Sequence, residues 1–172
     1  MGEIRVESVR NIALVSNVGA GKTSLTEALL YASAAIPTLG SVLQGTTVSD
    51  FEPEELHHHC SASTSLLQFT WNQTAIMLVD PPGALGLLGE SLSALRAVDA
   101  VIIVLNPGAG VRTELARLWN RVKELDLPCL VFVNGLDKEG ASFDAVLDLC
   151  RTQLECAPVP MVLPVHSGSG FD

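Results

Sequence analysis

The stretch Ser16-Asn17-Val18-Gly19-Ala20-Gly21-Lys22-Thr23 decides the fold, because of what flanks it: the apolar run Ile12-Ala13-Leu14-Val15 before and a helix-favouring run over residues 25–35 after. A buried strand ends, a loop of small residues turns and a helix begins. Successive backbone N–H groups and the positive end of the helix dipole then face one concavity, which suits an anion. In the P-loop reading, Asn17, Val18, Gly19, Ala20 and Gly21 shape the cradle and its two glycines let backbone approach a triphosphate. Lys22 reaches the outer phosphates, the Thr23 hydroxyl ligates the accompanying Mg²⁺, and Ser24 continues the first helical turn. Ser16 stands where the usual pattern has glycine.

Outward from that loop, the chain alternates apolar strands and helices. Strands are expected over 9–16, 65–71, 74–80, 100–105, 129–133 and 159–165, and helices over 22–34, 88–98, 111–125 and 143–154. Asn72-Gln73 is short enough to make 65–71 and 74–80 an antiparallel hairpin. The remaining strands read as continuous apolar runs, including 129–133, as in a parallel sheet covered on both faces. The expected class is α/β: a P-loop NTPase with a mostly parallel sheet, one antiparallel edge hairpin and helices on both faces. Residues 38–63 are polar, irregular and aperiodic, and a loop of that length in a compact domain is usually functional or mobile.

The 172 residues suit one domain with one sizeable core. A net charge of −9 gives no general affinity for nucleic-acid phosphates, and no basic patch offsets it. Cys60, Cys129, Cys150 and Cys156 show no C-x-x-C pairing, which points to reduced thiols and a cytoplasmic setting. The charged first ten residues do not read as a signal peptide, and no apolar run approaches the ~20 residues that span a bilayer. A soluble protein without membrane contact is expected.

Two further strand ends carry polar chemistry. Ile76-Met77-Leu78-Val79-Asp80 delivers a carboxylate beside the phosphate loop, where it can hold Mg²⁺ through water, and Gly83 offers a backbone N–H to a γ-phosphate. The strand over 129–133 ends in Asn134-Gly135-Leu136-Asp137. A carboxylate at residue 137 accepts both N1–H and N2–H₂ of guanine, two charge-assisted bonds worth about 1.5–3 kcal/mol each that adenine cannot reproduce. Asn134 would tie this base loop to the phosphate loop.

With these motifs in order, the chain resembles the translational GTPases, and among them elongation factor G and its paralogues, over residues 10–164. Gly40-Ser41-Val42 and the run Gly45-Thr46-Thr47-Val48-Ser49-Asp50-Phe51-Glu52-Pro53-Glu54-Glu55 resemble that family's first switch region, and Phe132-Val133-Asn134 and Val159-Pro160 are similar too. The resemblance implies a single G domain over 1–172, with a switch I-like loop over about 37–63, binding GTP or GDP with Mg²⁺. It also implies the N-terminal part of a larger, ribosome-bound factor. Thr23, Ser61 and Asp80 match the family's metal positions.

Four departures fall on family functional positions. His57-His58-His59, then Cys60, replace a Glu/Arg/Gly triplet; Pro81-Pro82-Gly83-Ala84 lacks the histidine that positions the attacking water; Gly135 replaces a lysine that packs along guanine. The fifth motif, a Ser-Ala turn, lies beyond residue 172, because Ser167-Gly168-Ser169-Gly170 comes too early for it. The chain reads either as a fragment or as a truncated paralogue. Turnover is therefore expected to be slow or absent, and no residue is assigned as catalytic. Two other readings stay open: a structural or interaction module that keeps the fold, and a P-loop ATPase. Three histidines and a cysteine suit a transition metal, but neighbours in an extended segment point in opposite directions, so a solvated loop is the expectation. Trp71 and Trp119 are expected to pack half-buried.

Overall fold

The computed structural model describes residues 6–50, 52, 55 and 61–166. Five strands, β1 (Val9–Ser16), β2 (Ser65–Trp71), β3 (Thr74–Asp80), β4 (Ala100–Leu105) and β5 (Cys129–Val133), form one sheet in the order β2-β3-β1-β4-β5. Among the described residues, four α-helices have full bounds: α1 (Lys22–Ala32), α2 (Leu88–Ala94), α3 (Thr113–Glu124) and α4 (Phe143–Gln153). Pairing is parallel at β1–β3, β1–β4 and β4–β5 and antiparallel only at β2–β3, where Asn72 and Gln73 take φ of 46° and 65°. Left-handed residues at both central positions match the right-handed twist of a two-residue hairpin.

Alternation along the strands sends side chains to two cores. Ala13, Val15, Val79 and Ile103 pack with Leu115, Leu118 and Val122 of α3 and Val146 and Cys150 of α4. Leu14, Leu78, Val104 and Phe69 face Leu25 and Leu30 of α1 on the opposite side. Helices thus cover both faces, as the continuous apolar strands require. Leu115 is 0% exposed. Its replacement by alanine should cost about 2–5 kcal/mol, lost transfer energy plus a cavity, read as a lowered urea midpoint at unchanged slope.

Two expectations fail. The strand expected over 159–165 does not form: Val159, Met161, Val162, Leu163 and Val165 are 67–84% exposed. Pro160 and Pro164 fall inside the run, and proline cannot donate to a ladder. The strand at 129–133 forms but is not buried. It closes the sheet as an edge, so Leu130 and Phe132 stay 43% and 38% exposed. Helix ends shift slightly; α2 stops at Ala94 because Arg96 and Ala97 donate to Ser93 and Ala94, tightening the chain out of α geometry. Trp119 is half-buried with its indole N–H on the Leu154 carbonyl at 2.6 Å, whereas Trp71 at the hairpin end is 51% exposed. Among the described residues, Cys129, Cys150 and Cys156 are free thiols, and no helix is long and apolar enough to cross a membrane.

Candidate functional site

Because β1, β3, β4 and β5 run parallel, their C-terminal ends share one edge of the sheet, and the loops after them meet there. The chain leaves β1 toward β3 on one side and returns to β4 on the other. This is the switch point at which α/β sheets bind ligands.

The loop after β1 turns through Gly19 (φ 73°) and Gly21 (φ 95°) into α1. Gly21 is the N-cap and supplies no side-chain oxygen, so the first-turn N–H groups carry no cap of the kind that Ser142 provides to Ala145 in α4. The Asn17 side chain is buried: its amide donates to the Gly110 carbonyl at 2.7 Å and accepts from Arg112 N–H at 3.4 Å. It ties the loop to the segment after β4. Val18, Gly19 and Ser24 are exposed at the mouth, and Ala20 is buried beneath it.

Lys22 is 8% exposed and donates to Ser16 Oγ at 3.3 Å. Burial holds its ammonium below the ordinary lysine range, opposed by the carboxylates of Asp80 and Asp50. Burial also pushes the Asp80 carboxyl up to about 6; Lys22 and the Thr26 hydroxyl pull it back, and Asp50 adds to the push. Asp80 Oδ2 accepts from Thr26 Oγ at 3.0 Å, while Oδ1 is buried with no partner. Asp50, 4% exposed, accepts the Ser61 hydroxyl at 2.7 Å. An orphaned carboxylate oxygen near a second carboxylate fits a hard divalent cation. Among the described residues no three His, Cys, Asp or Glu side chains are arranged to hold a metal alone. Mg²⁺ takes one or two carboxylates together with hydroxyls, water and phosphate.

Gly83 closes over this cluster. A Cβ there would lie 2.8 Å from Lys22 Nζ and 3.5 Å from Val18 Cα, so a side chain at this position would push the ammonium from its place. The preceding turn is held by Ser91 Oγ on the Pro82 carbonyl at 3.2 Å.

The second loop arrives from β5. Asn134 donates its amide to the Ala20 carbonyl at 2.9 Å, across 114 residues, and a Cβ at Gly21 would collide with it. The expected tie between the base and phosphate loops is present. Asp137 is exposed at the end of that loop. Gly135 has φ 83°, and the Lys138 stem fills the space beside it, with Cε 3.5 Å from where a Cβ would sit.

The structure therefore gathers Lys22, Thr23, Asp80, Gly83 and Ser61 at one mouth and Asn134 and Asp137 at its flank, while the His57-His58-His59 run lies outside the described residues. A family model described as elongation factor Tu GTP binding domain matches residues 7–172. The chain belongs to that family. This G domain is of the translational-GTPase type. It is 37% identical over 164 residues to a mitochondrial ribosome-releasing factor 2 of Anopheles gambiae and 32% identical over 166 residues to that of Danio rerio. Those matches cover 95% and 96% of this chain and 22% of each relative, so the G domain spans about a fifth of their length. A crystal structure of a Thermus thermophilus protein superposes with a TM-score of 0.87 at 36% identity, covering 95% of this chain and 24% of that one.

Motif reading missed Thr26, Asp50 and Lys138. Thr26 follows Thr23 by three residues and so lies on the same helix face, a spacing that was available as a signal. Asp50 lies in the run that resembles the first switch region, but no periodicity there singles out its carboxylate.

Proposed function

We propose that this G domain binds GDP and GTP with Mg²⁺, with degenerate turnover, as the nucleotide-binding part of an elongation factor G-like, ribosome-associated factor. The observation that carries the reading is Asp80 Oδ1, buried and unpartnered next to Lys22 at the uncapped start of α1. An unsatisfied buried oxygen costs about 1–3 kcal/mol, which a cation there would offset. When bound, Mg²⁺ neutralises phosphate charge, and Thr23, Asp80 and Ser61 are the residues that would hold it. The chain's own contribution is positional. Lys22 places a cation against the outer phosphates, the first turn of α1 and Gly83 present N–H groups, and Asn134 fixes the base loop on the phosphate loop. Displacement of a labelled guanine nucleotide by excess GDP, and not by excess ADP, tests this against an ATPase. Failure of any nucleotide to bind would leave the interaction-module reading, which Pro81, Pro82 and Ala84 favour.

Specificity is assigned to Asp137. In Asp137→Asn the amide donates where xanthine has a carbonyl in place of the exocyclic amine, so preference should move from GDP toward XDP. Paired dissociation constants measure it. An unchanged GDP-over-XDP ranking would place the base elsewhere.

A further inference from the structure

Thr26 is a polar side chain where packing alone would favour an apolar one. It lies on α1 between Lys22 and Leu30 at i, i+4 spacing, all three are buried, and Thr26 itself is 0% exposed. Leu25 and Leu30 of the same helix pack in one core with Leu78 of β3. Side chains alternate along a strand, so Val79 enters the opposite core and Asp80, the last residue of β3, returns to the face of Leu78. The packing of α1 on β3 thus brings the Thr26 hydroxyl to the Asp80 carboxylate.

Valine would fill nearly the same volume at residue 26. What threonine adds is a hydroxyl, and its Oγ1 donates to Asp80 Oδ2 at 3.0 Å. A mid-helix threonine commonly turns that hydroxyl back to the carbonyl four residues earlier, which here belongs to Lys22. With one proton to give, Thr26 gives it to Asp80. The two carboxylate oxygens then differ: Oδ2 is held, and Oδ1 is buried with no partner. The difference matters because the terminal torsion of an aspartate is broad and two-fold, so a carboxylate held at neither oxygen can tilt or exchange them. A β-branched side chain on a helix is restricted at χ1 and suits the task of holding one.

We propose that Thr26 is a positioning residue for the metal at the nucleotide site: by holding Oδ2 it fixes the rotation of the Asp80 carboxylate and keeps Oδ1 as the oxygen left for Mg²⁺. The proposal rests on the reading of this site as one for a guanine nucleotide with Mg²⁺. Thr26 lies nearly a turn further along α1 than Thr23 and is fully buried, so it acts through Asp80. A hydroxyl present only to satisfy a buried carboxylate would behave differently. Its loss would lower stability and leave the metal requirement where it was.

Dissociation constants of the whole chain for GTP, measured from EDTA upward through a series of free Mg²⁺ concentrations, test this. Affinity in the parent chain should rise with Mg²⁺. In Thr26→Val the concentration that gives half of that rise should increase about tenfold, the share of one hydrogen bond to a charged group, while affinity in EDTA stays within about twofold. Thr26→Ser restores the hydroxyl and should bring the metal requirement back to within about threefold of the parent. Should Thr26→Val fail to fold, Thr26→Ala carries the same expectation, because a water in the space it leaves has no fixed direction from which to hold Oδ2. A metal requirement unmoved in the folded variant, affinity lost equally with and without metal, or a defect that serine does not relieve would each overturn the positioning role. Two results with the parent chain bear on the underlying reading instead. Absence of GTP binding refutes the nucleotide site, and GTP affinity indifferent to Mg²⁺ refutes the metal site, each taking the role of Thr26 with it.

Discussion

Lys22→Ala is expected to abolish guanine-nucleotide binding. The ammonium sits among Asp80, Asp50 and the uncapped start of α1, and its removal leaves the outer phosphates facing two carboxylates. Loss of one or two charge-assisted bonds of about 1.5–3 kcal/mol each weakens binding by roughly 10–10⁴-fold, before any repulsion is counted. Calorimetry with GDP and Mg²⁺ at high protein concentration checks this: heat in the parent chain and none in the variant. Because Lys22 is also the counter-charge of buried carboxylates, a thermal melt of the variant must accompany it. Lys22→Met, which keeps most of the stem, separates lost charge from lost packing. If the parent chain itself gives no heat with any nucleotide, binding is refuted and the fold serves another purpose.

GTP hydrolysis by this chain is expected to be very slow or undetectable, and Ala84 is the reason. In phosphoryl transfer the protein supplies positioning and charge more than covalent chemistry, so a residue that orients water carries much of its contribution. A methyl group orients nothing. Loss of such a positioned group costs typically about 10²–10⁴-fold. The surrounding turn adds a second obstacle. Pro81 and Pro82 are buried, lack backbone donors and restrict φ, and the Pro82 carbonyl is held by Ser91. Gly83 already lies against Lys22, where a Cβ would be 2.8 Å from Nζ. A turn constrained at both ends has little freedom to close on a γ-phosphate. Ala84→His alone should therefore restore only part of the rate. Single-turnover hydrolysis of bound GTP decides it; a parent-chain rate equal to that of a G domain with the histidine would mean another group orients the water.

The strand, loop and helix around residues 16–23 were legible in the sequence because each rests on a local pattern: an apolar run, glycines where φ must be positive, then helix formers. The same holds for the hairpin at Asn72-Gln73 and for Asp80 and Asn134 at strand ends, where an apolar run stops at a polar residue. Even the bond from Asn134 to Ala20 was foreseeable, since the motif order implies that the two loops meet. What the tertiary structure alone decided is of another kind. Apolar content could not say that β5 is an edge strand, because exposure depends on which strand lies next to it and not on its own residues. For 159–165, the prolines outweighed the apolar pattern that suggested a strand. The Asn17 side chain serves Gly110 and Arg112, the Lys138 stem lies beside Gly135, and Glu27 holds Gly40 and Val48. A carboxylate on a helix reads as a solvated charge until the fold buries it. Its donors come from a loop 13 and 21 residues away with no periodicity of its own, so only the packed chain reveals these contacts.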